Sequence, residues 1–115
     1  MKNKDLIKIG GYEKISPTNI MMLKADSNYT IIYLVDGKQI LSSTNIGILE
    51  KRLKDFLFFR PNRSFVVNQS FISKFVNKTQ TGSFAVIELK NKEQIRFSRR
   101  KVKGIDTGLF QNKEL

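Results

Sequence analysis

Tyr29-Thr30-Ile31-Ile32-Tyr33-Leu34-Val35, stopped by Asp36-Gly37 and followed by Lys38-Gln39-Ile40-Leu41-Ser42, is the stretch on which the fold turns. Its first run is β-branched, aromatic or aliphatic throughout, the composition that fits a pleated, half-buried surface. Asp-Gly between two such runs is the strongest short-range hairpin signal, because both residues accept the positive φ of a tight connection. Lys38–Ser42 is therefore expected to pair back on Tyr29–Val35. Upstream, a strand is expected over Met21–Ala25, entered through Ser16-Pro17, a cap and first-turn pair that opens at most one helical turn. Further upstream, Leu6-Ile7-Lys8-Ile9 alternates and stops at Gly10-Gly11.

Downstream of the hairpin the period changes. Ile46, Leu49 and Leu53 recur at i, i+3 and i+7 behind Thr44, a good N-cap, and Glu50 and Lys54 stand four apart as an ion pair. This predicts a core-facing amphipathic helix of about ten residues. Phe56–Phe59 is strongly apolar, and Pro61-Asn62 predicts a turn. Strands follow over Phe65–Val67 and Phe71–Val76, separated by Asn68-Gln69-Ser70, with a polar loop over Asn77–Ser83. Phe84–Leu89 and Gln94–Phe97 form a second expected hairpin around Asn91-Lys92. Val102, Ile105 and Leu109 then repeat the helical spacing behind Ser98. The expected fold is mainly β with two short helices. With no repeat, low-complexity tract or linker, the pattern reads as a single domain.

Composition narrows the chemistry. The 115 residues contain no Cys and no His, which removes the usual zinc ligands, thiol nucleophiles and the imidazole acid–base group. Ser64, Ser70 and Ser98 have no His partner, Asp26 and Asp36 have no second carboxylate placed to pair with either, and no phosphate-cradling glycine loop occurs. An enzyme is not expected, nor a metal or any other cofactor. No apolar run reaches the ~20 residues of a membrane span, and the N-terminal stretch has no apolar signal core. A cytoplasmic location is expected.

Charge is the informative quantity. Twenty-one Lys and Arg oppose ten Asp and Glu, for a formal +11. Residues 1–59 hold nine basic and six acidic side chains (+3), and residues 60–115 hold twelve and four (+8). Such a field draws polyanions at long range. Solubilising surface charge is the bland alternative.

Two basic stretches stand out. In Arg60-Pro61-Asn62-Arg63-Ser64 the backbone must turn, and turns lie on the surface. Arg can read guanine bidentately, Asn can read adenine, and a Ser hydroxyl can reach phosphate. An ordinary solvated turn explains the same residues. In Ser98-Arg99-Arg100-Lys101-Val102-Lys103, a helix capped by Ser98 carries Arg99, Arg100 and Lys101 in its first turn. There they oppose the macrodipole by roughly 0.3–1 kcal/mol each. A phosphate at that helix start would reverse the sign. A basic face that tolerates the mismatch through solvation is the alternative. Phe56, Phe58, Phe59, Phe71 and Phe75 sit in apolar runs and read as core, as do Tyr29 and Tyr33. No stacking platform for single strands is evident, so duplex DNA is the better polyanion.

These residues, in this order, resemble the LytTR DNA-binding domains of bacterial response regulators and related one-domain regulators, over about residues 18–106. Asn19–Thr30 followed by Asp36-Gly37-Lys38 looks like the family's opening pair of strands. Phe59-Arg60-Pro61-Asn62-Arg63-Ser64-Phe65-Val66-Val67-Asn68 looks like its central F-R-x-H-R-S-y-x-V-N signature, and Phe97-Ser98-Arg99-Arg100 like its terminal S-R-R. The resemblance implies an elongated, mostly β domain of three small antiparallel sheets, whose loops enter successive major grooves of duplex DNA. It divides the chain into an N-terminal extension with the first strand (1–17), the DNA-binding domain (18–108) and a tail (109–115).

Carried onto this chain, the DNA-contacting residues it implies are Asn28 or Tyr29 in the first loop, Asn62 and Arg63 in the signature turn, and Arg99, Arg100 and Lys103 near the last strand–helix junction; the residue chemistry above adds Ser64 and Lys101 to the expected DNA-binding set. Arg60 would bind phosphate or brace the loop, and Asn68 would tie down the turn. The chain departs from the pattern at Asn62, where the family usually has His, and at Pro61, where it usually has an aliphatic residue. The carboxamide keeps hydrogen-bonding capacity but not the cationic state. Nothing resembles a receiver domain, so input from a sensor or receiver protein in trans is expected, with two copies binding repeat sites on the nucleoid. The domain is expected to be either a stand-alone regulator or a piece of a longer one, and Met1 leans slightly towards the first. The rival readings are a basic β domain that binds RNA or DNA non-specifically, and an interaction module for an acidic protein.

Overall fold

The computed structural model describes residues 6–77 and 85–97. Among them are ten strands, β1 (Ile7–Gly10), β2 (Glu13–Ile15), β3 (Ile20–Asp26), β4 (Tyr29–Leu34), β5 (Gln39–Ser42), β6 (Phe58–Asn62), β7 (Phe65–Asn68), β8 (Ile72–Asn77), β9 (Ala85–Leu89) and β10 (Gln94–Arg96). One helix, α1 (Ile46–Arg52), follows β5, and 3-10 turns occupy Pro17–Asn19 and Gln69–Phe71. The strands form three antiparallel sheets, ordered β1-β2, β5-β4-β3-β7-β6 and β8-β9-β10. The expected second helix behind Ser98 lies outside the described residues, as does most of the expected loop over Asn77–Ser83.

The chain divides into two compact units. The first takes in the chain up to Arg60 together with Ser64–Gln69, and the second takes in Pro61–Arg63 and the chain from Ser70 onward. In the first unit the five-stranded sheet lays Ile20, Leu23, Ile32 and Val66 against Ile46, Leu49 and Leu53 of α1 and its C-cap, with Ile7 and Ile9 of β1 joining the same core. The i, i+3, i+7 stripe is thus the buried face of α1. In the second unit, Ile72, Val86, Ile87, Leu89, Ile95 and Phe97 are buried, and the rings of Phe75 and Phe97 meet in a tilted pair with centroids 5.2 Å apart.

Five local expectations are corrected. The β4–β5 connection is longer than a two-residue Asp-Gly turn: Leu34 N–H donates to Lys38 O, leaving Val35, Asp36 and Gly37 in the loop. Gly37 takes φ 94°, a left-handed position that closes a three-residue hairpin, and Val35 falls outside the strand. The cap of α1 is Asn45, not Thr44, since the Asn45 side chain accepts from Ile48 N–H at 2.9 Å. The helix spans seven residues, not ten, and Glu50 pairs with Arg60 rather than with Lys54. Pro61-Asn62 is not the turn: both residues end β6, and the turn falls on Arg63-Ser64. Pro lacks an N–H to donate and is tolerated here because β6 is the outer strand of its sheet. Among the described residues, no helix is long and apolar enough to cross a membrane.

Candidate nucleic-acid interface

The first expected loop is the two-residue connection Ser27-Asn28 between β3 and β4, closed by the pairing of Asp26 with Tyr29. Ser27 holds φ 57°, a left-handed value that makes the turn tight. Asn28 is exposed, and so is Tyr29 at 49 %. The reading of Tyr29 as core is therefore corrected: on β4 the core side belongs to Thr30 and Ile32, leaving Tyr29 on the opposite face. Tyr33 is half-buried. Thr30, fully buried, donates its hydroxyl to Thr44 O at 2.8 Å and pins β4 directly beside the turn.

Ser64 belongs to the same end of this unit. Ala25 N–H donates to Ser64 O at 2.8 Å, one residue beyond the pairing of Lys24 with Phe65. The ammonium of Lys24 sits 6.0 Å from the Phe65 ring centroid. Asn28, Tyr29, Lys24 and Ser64 are thereby gathered at one end of strands β3, β4 and β7. Lys24 was not singled out from the sequence, although its place between apolar neighbours in β3 marks it as outward-facing.

Arg60 braces the first unit. Its Nη1 lies 2.7 Å from Glu50 Oε1, linking β6 to α1. The pair is partly solvated, which holds its worth to about 0–1 kcal/mol. Asn68, 6 % exposed, donates Nδ2–H to Ile20 O at 2.9 Å and ties the end of β7 to the start of β3. The bond is structural, as expected, but holds β7 to β3 rather than the signature turn at Arg63-Ser64.

In the second unit the signature residues Asn62 and Arg63 meet the approach to the third stretch. Asn62 Nδ2–H donates to Arg96 O at 2.6 Å, and Arg96 closes β10, two residues before Ser98. The bond joins two stretches that the sequence separates by thirty-four positions. Arg63 and Arg96 are both exposed. Arg96 was missed in the sequence, yet the alternation Gln94-Ile95-Arg96-Phe97 carries the signal: Ile95 and Phe97 are buried, and Arg96 faces out. Ser98, Arg99, Arg100, Lys101 and Lys103 lie outside the described residues.

Glu88 stands among these basic side chains. The Glu88 carboxyl on β9 is held below its ordinary range, first by the hydrogen bond from Gln94 Nε2 at 3.0 Å, then by the charges of Lys74 and Lys92, with desolvation opposing. Glu88 remains an anion and locally offsets those lysines.

Known proteins agree with this architecture. The family model for the LytTr DNA-binding domain matches residues 10–109. A solved structure, the LytTr DNA-binding domain of a Bacillus cereus protein described as a putative methyl-accepting/DNA response regulator, superposes with a TM-score of 0.68 at 22 % identity, over 90 % of this chain and 100 % of that one. No curated protein matches. The chain belongs to the LytTr DNA-binding domain family, and the class it defines is a DNA-binding module of transcription regulation.

Proposed function

We propose that this chain reads duplex DNA sequence-specifically as the output half of a transcription regulator, placing loops in successive major grooves. The observation that carries this is the Asn62–Arg96 hydrogen bond at 2.6 Å. It anchors the signature turn from inside the second unit and leaves Arg63 exposed, the preorganisation a base-reading Arg needs. In this reading Arg63 and Arg100 select bases. Asn62, tied through its amide to Arg96 O, contacts DNA beside Arg63. Asn28 and Tyr29 contact DNA from the first unit, while Ser64, Arg99, Lys101 and Lys103 hold phosphates. Arg60 acts through its brace to Glu50. Two copies occupy a direct or imperfect repeat, and the input signal arrives from a sensor or receiver protein in trans.

Selecting bound duplexes from a random pool tests the reading. The expected result is one enriched motif, repeated at fixed spacing. Arg63→Ala should then cost ~1–3 kcal/mol on that motif and relax the choice at one position. Equal enrichment of all duplexes, preference for RNA over duplex, or capture only of an acidic protein would overturn it.

A further inference from the structure

We propose that the β1–β2 hairpin is a further phosphate-binding element, gripping the DNA backbone beside the Asn28-Tyr29 turn through Lys8, Lys14 and the tip residue Tyr12. The hairpin lies outside the three stretches to which DNA contact is ascribed above. It rests on the reading that the β3–β4 turn meets DNA.

Ile7 and Ile9 of β1 are buried in the core of the first unit, so Lys8 between them points the other way. The register sets Lys8 directly across from Lys14, both exposed. Like charges directly opposite one another destabilise a strand pair. An anion bridging them reverses the sign. Tyr12 is fully exposed, on a tip whose Gly11 holds φ 55°. Its ring has no apolar reward in water, and its hydroxyl can donate to a phosphate oxygen. Arg52 adds a cation at the edge of β1 by donating Nη1–H to Lys8 O at 3.0 Å. Glu13, across from Gly10, is the one acid between residues 7 and 15.

Placement supplies the second support, and it is internal to the first unit. Ser42 donates its hydroxyl to Ile9 O, and Gly10 lies so close that an added Cβ would meet Ser42 Oγ at 3.3 Å. Ser42 is paired with Thr30, the residue after Tyr29. Ile9 and Gly10, where β1 enters the hairpin tip, therefore lie by the end of β4 that follows the β3–β4 turn, about two strand spacings from it, on the order of 10 Å. The major groove is about 12 Å wide. A turn that enters it brings the hairpin to the flanking phosphates, where Lys acts as a point charge without sequence preference.

The test compares Lys8→Gln/Lys14→Gln with the parent in fluorescence-anisotropy titrations across salt, on the selected duplex and on an unrelated one, with hydroxyl-radical footprints. The double variant should bind both duplexes more weakly by roughly the same factor. The slope of log affinity against log salt should fall by about 1.8, since each phosphate no longer neutralised removes about 0.9. Its footprint should lose backbone positions on one side of the motif only, while the melting temperature holds or rises. Glu13→Gln should tighten binding, and Tyr12→Ser, at a fully exposed position, should loosen it without unfolding the chain. Parent-like affinity, slope and footprint in Lys8→Gln/Lys14→Gln would overturn the hairpin and leave the base-reading turns standing. A parent that selects no motif, yet loses slope in the double variant, would overturn specific readout and keep the hairpin. No duplex binding by the parent would overturn both.

Discussion

Asn62 and Asn68 sit six positions apart, and each commits its amide to a backbone carbonyl, that of Arg96 and that of Ile20. From the sequence, either could be a turn residue, a cap or a base reader, because a carboxamide serves all three and its partner is remote in the chain. Asn68→Ala should lower stability by about 1–3 kcal/mol, as Ile20 O loses this buried donor. A lower urea midpoint at unchanged slope would show it, with motif preference intact. Charge gives a second residue-scale expectation. Glu88 has a depressed carboxyl pKa, so its contribution is present above the unfolded-state value and is lost as pH falls through the lower folded one. Gln94→Ala removes the leading cause. The Glu88 carboxyl resonance should then titrate at higher pH in an NMR series, and an unmoved midpoint would contradict the assignment.

Elements were legible where a period was long enough to repeat. The buried stripe of α1, the antiparallel return of β5 and the β9–β10 hairpin all follow from spacing, because burial on one face imposes that spacing. Edges were less so. Thr44 and Asn45 are both competent caps, and only the backbone decides between them. Asn45 accepts from Ile48 N–H, whereas the Thr44 backbone carbonyl serves the buried hydroxyl of Thr30. Asn45→Ala should therefore cost about 1 kcal/mol, and Thr44→Ala clearly less, by chemical denaturation. Equal losses would return the cap to Thr44. Pro61 misled for a related reason: its fixed φ suits an outer strand as well as a turn, and the order of strands is not written locally. β2 went unread because Glu13-Lys14-Ile15 is too short to alternate visibly, although Gly10-Gly11 before it is a hairpin signal.

At the scale of the whole molecule, charge pointed to a polyanion but not to where it is held, since a net +11 fits both a solvated surface and a binding site. The motifs around Arg63 and Arg100 supplied the location through family resemblance, and the structure adds outward-facing cations, Arg96 and Lys24, that the sequence reading did not single out. Two charge variants of the full chain separate the alternatives. Replacing Arg99, Arg100, Lys101 and Lys103 by Gln takes +11 to +7, and so does replacing Lys38, Lys51, Lys54 and Lys90. The second set is exposed and lies outside every proposed DNA-binding element. If mean charge governs binding, both variants weaken duplex affinity alike. If phosphates are held at particular places, only the first should flatten the salt dependence, by about 0.9 in log–log slope for each phosphate it no longer neutralises. The second should keep the parent's slope to within roughly half that step. Arg100 should also leave a mark that charge cannot mimic, relaxing selection at one base position in the first variant while the second keeps the parent motif. Matching slopes in the two variants would leave the basic surface a solubilising one and remove the third stretch from the interface.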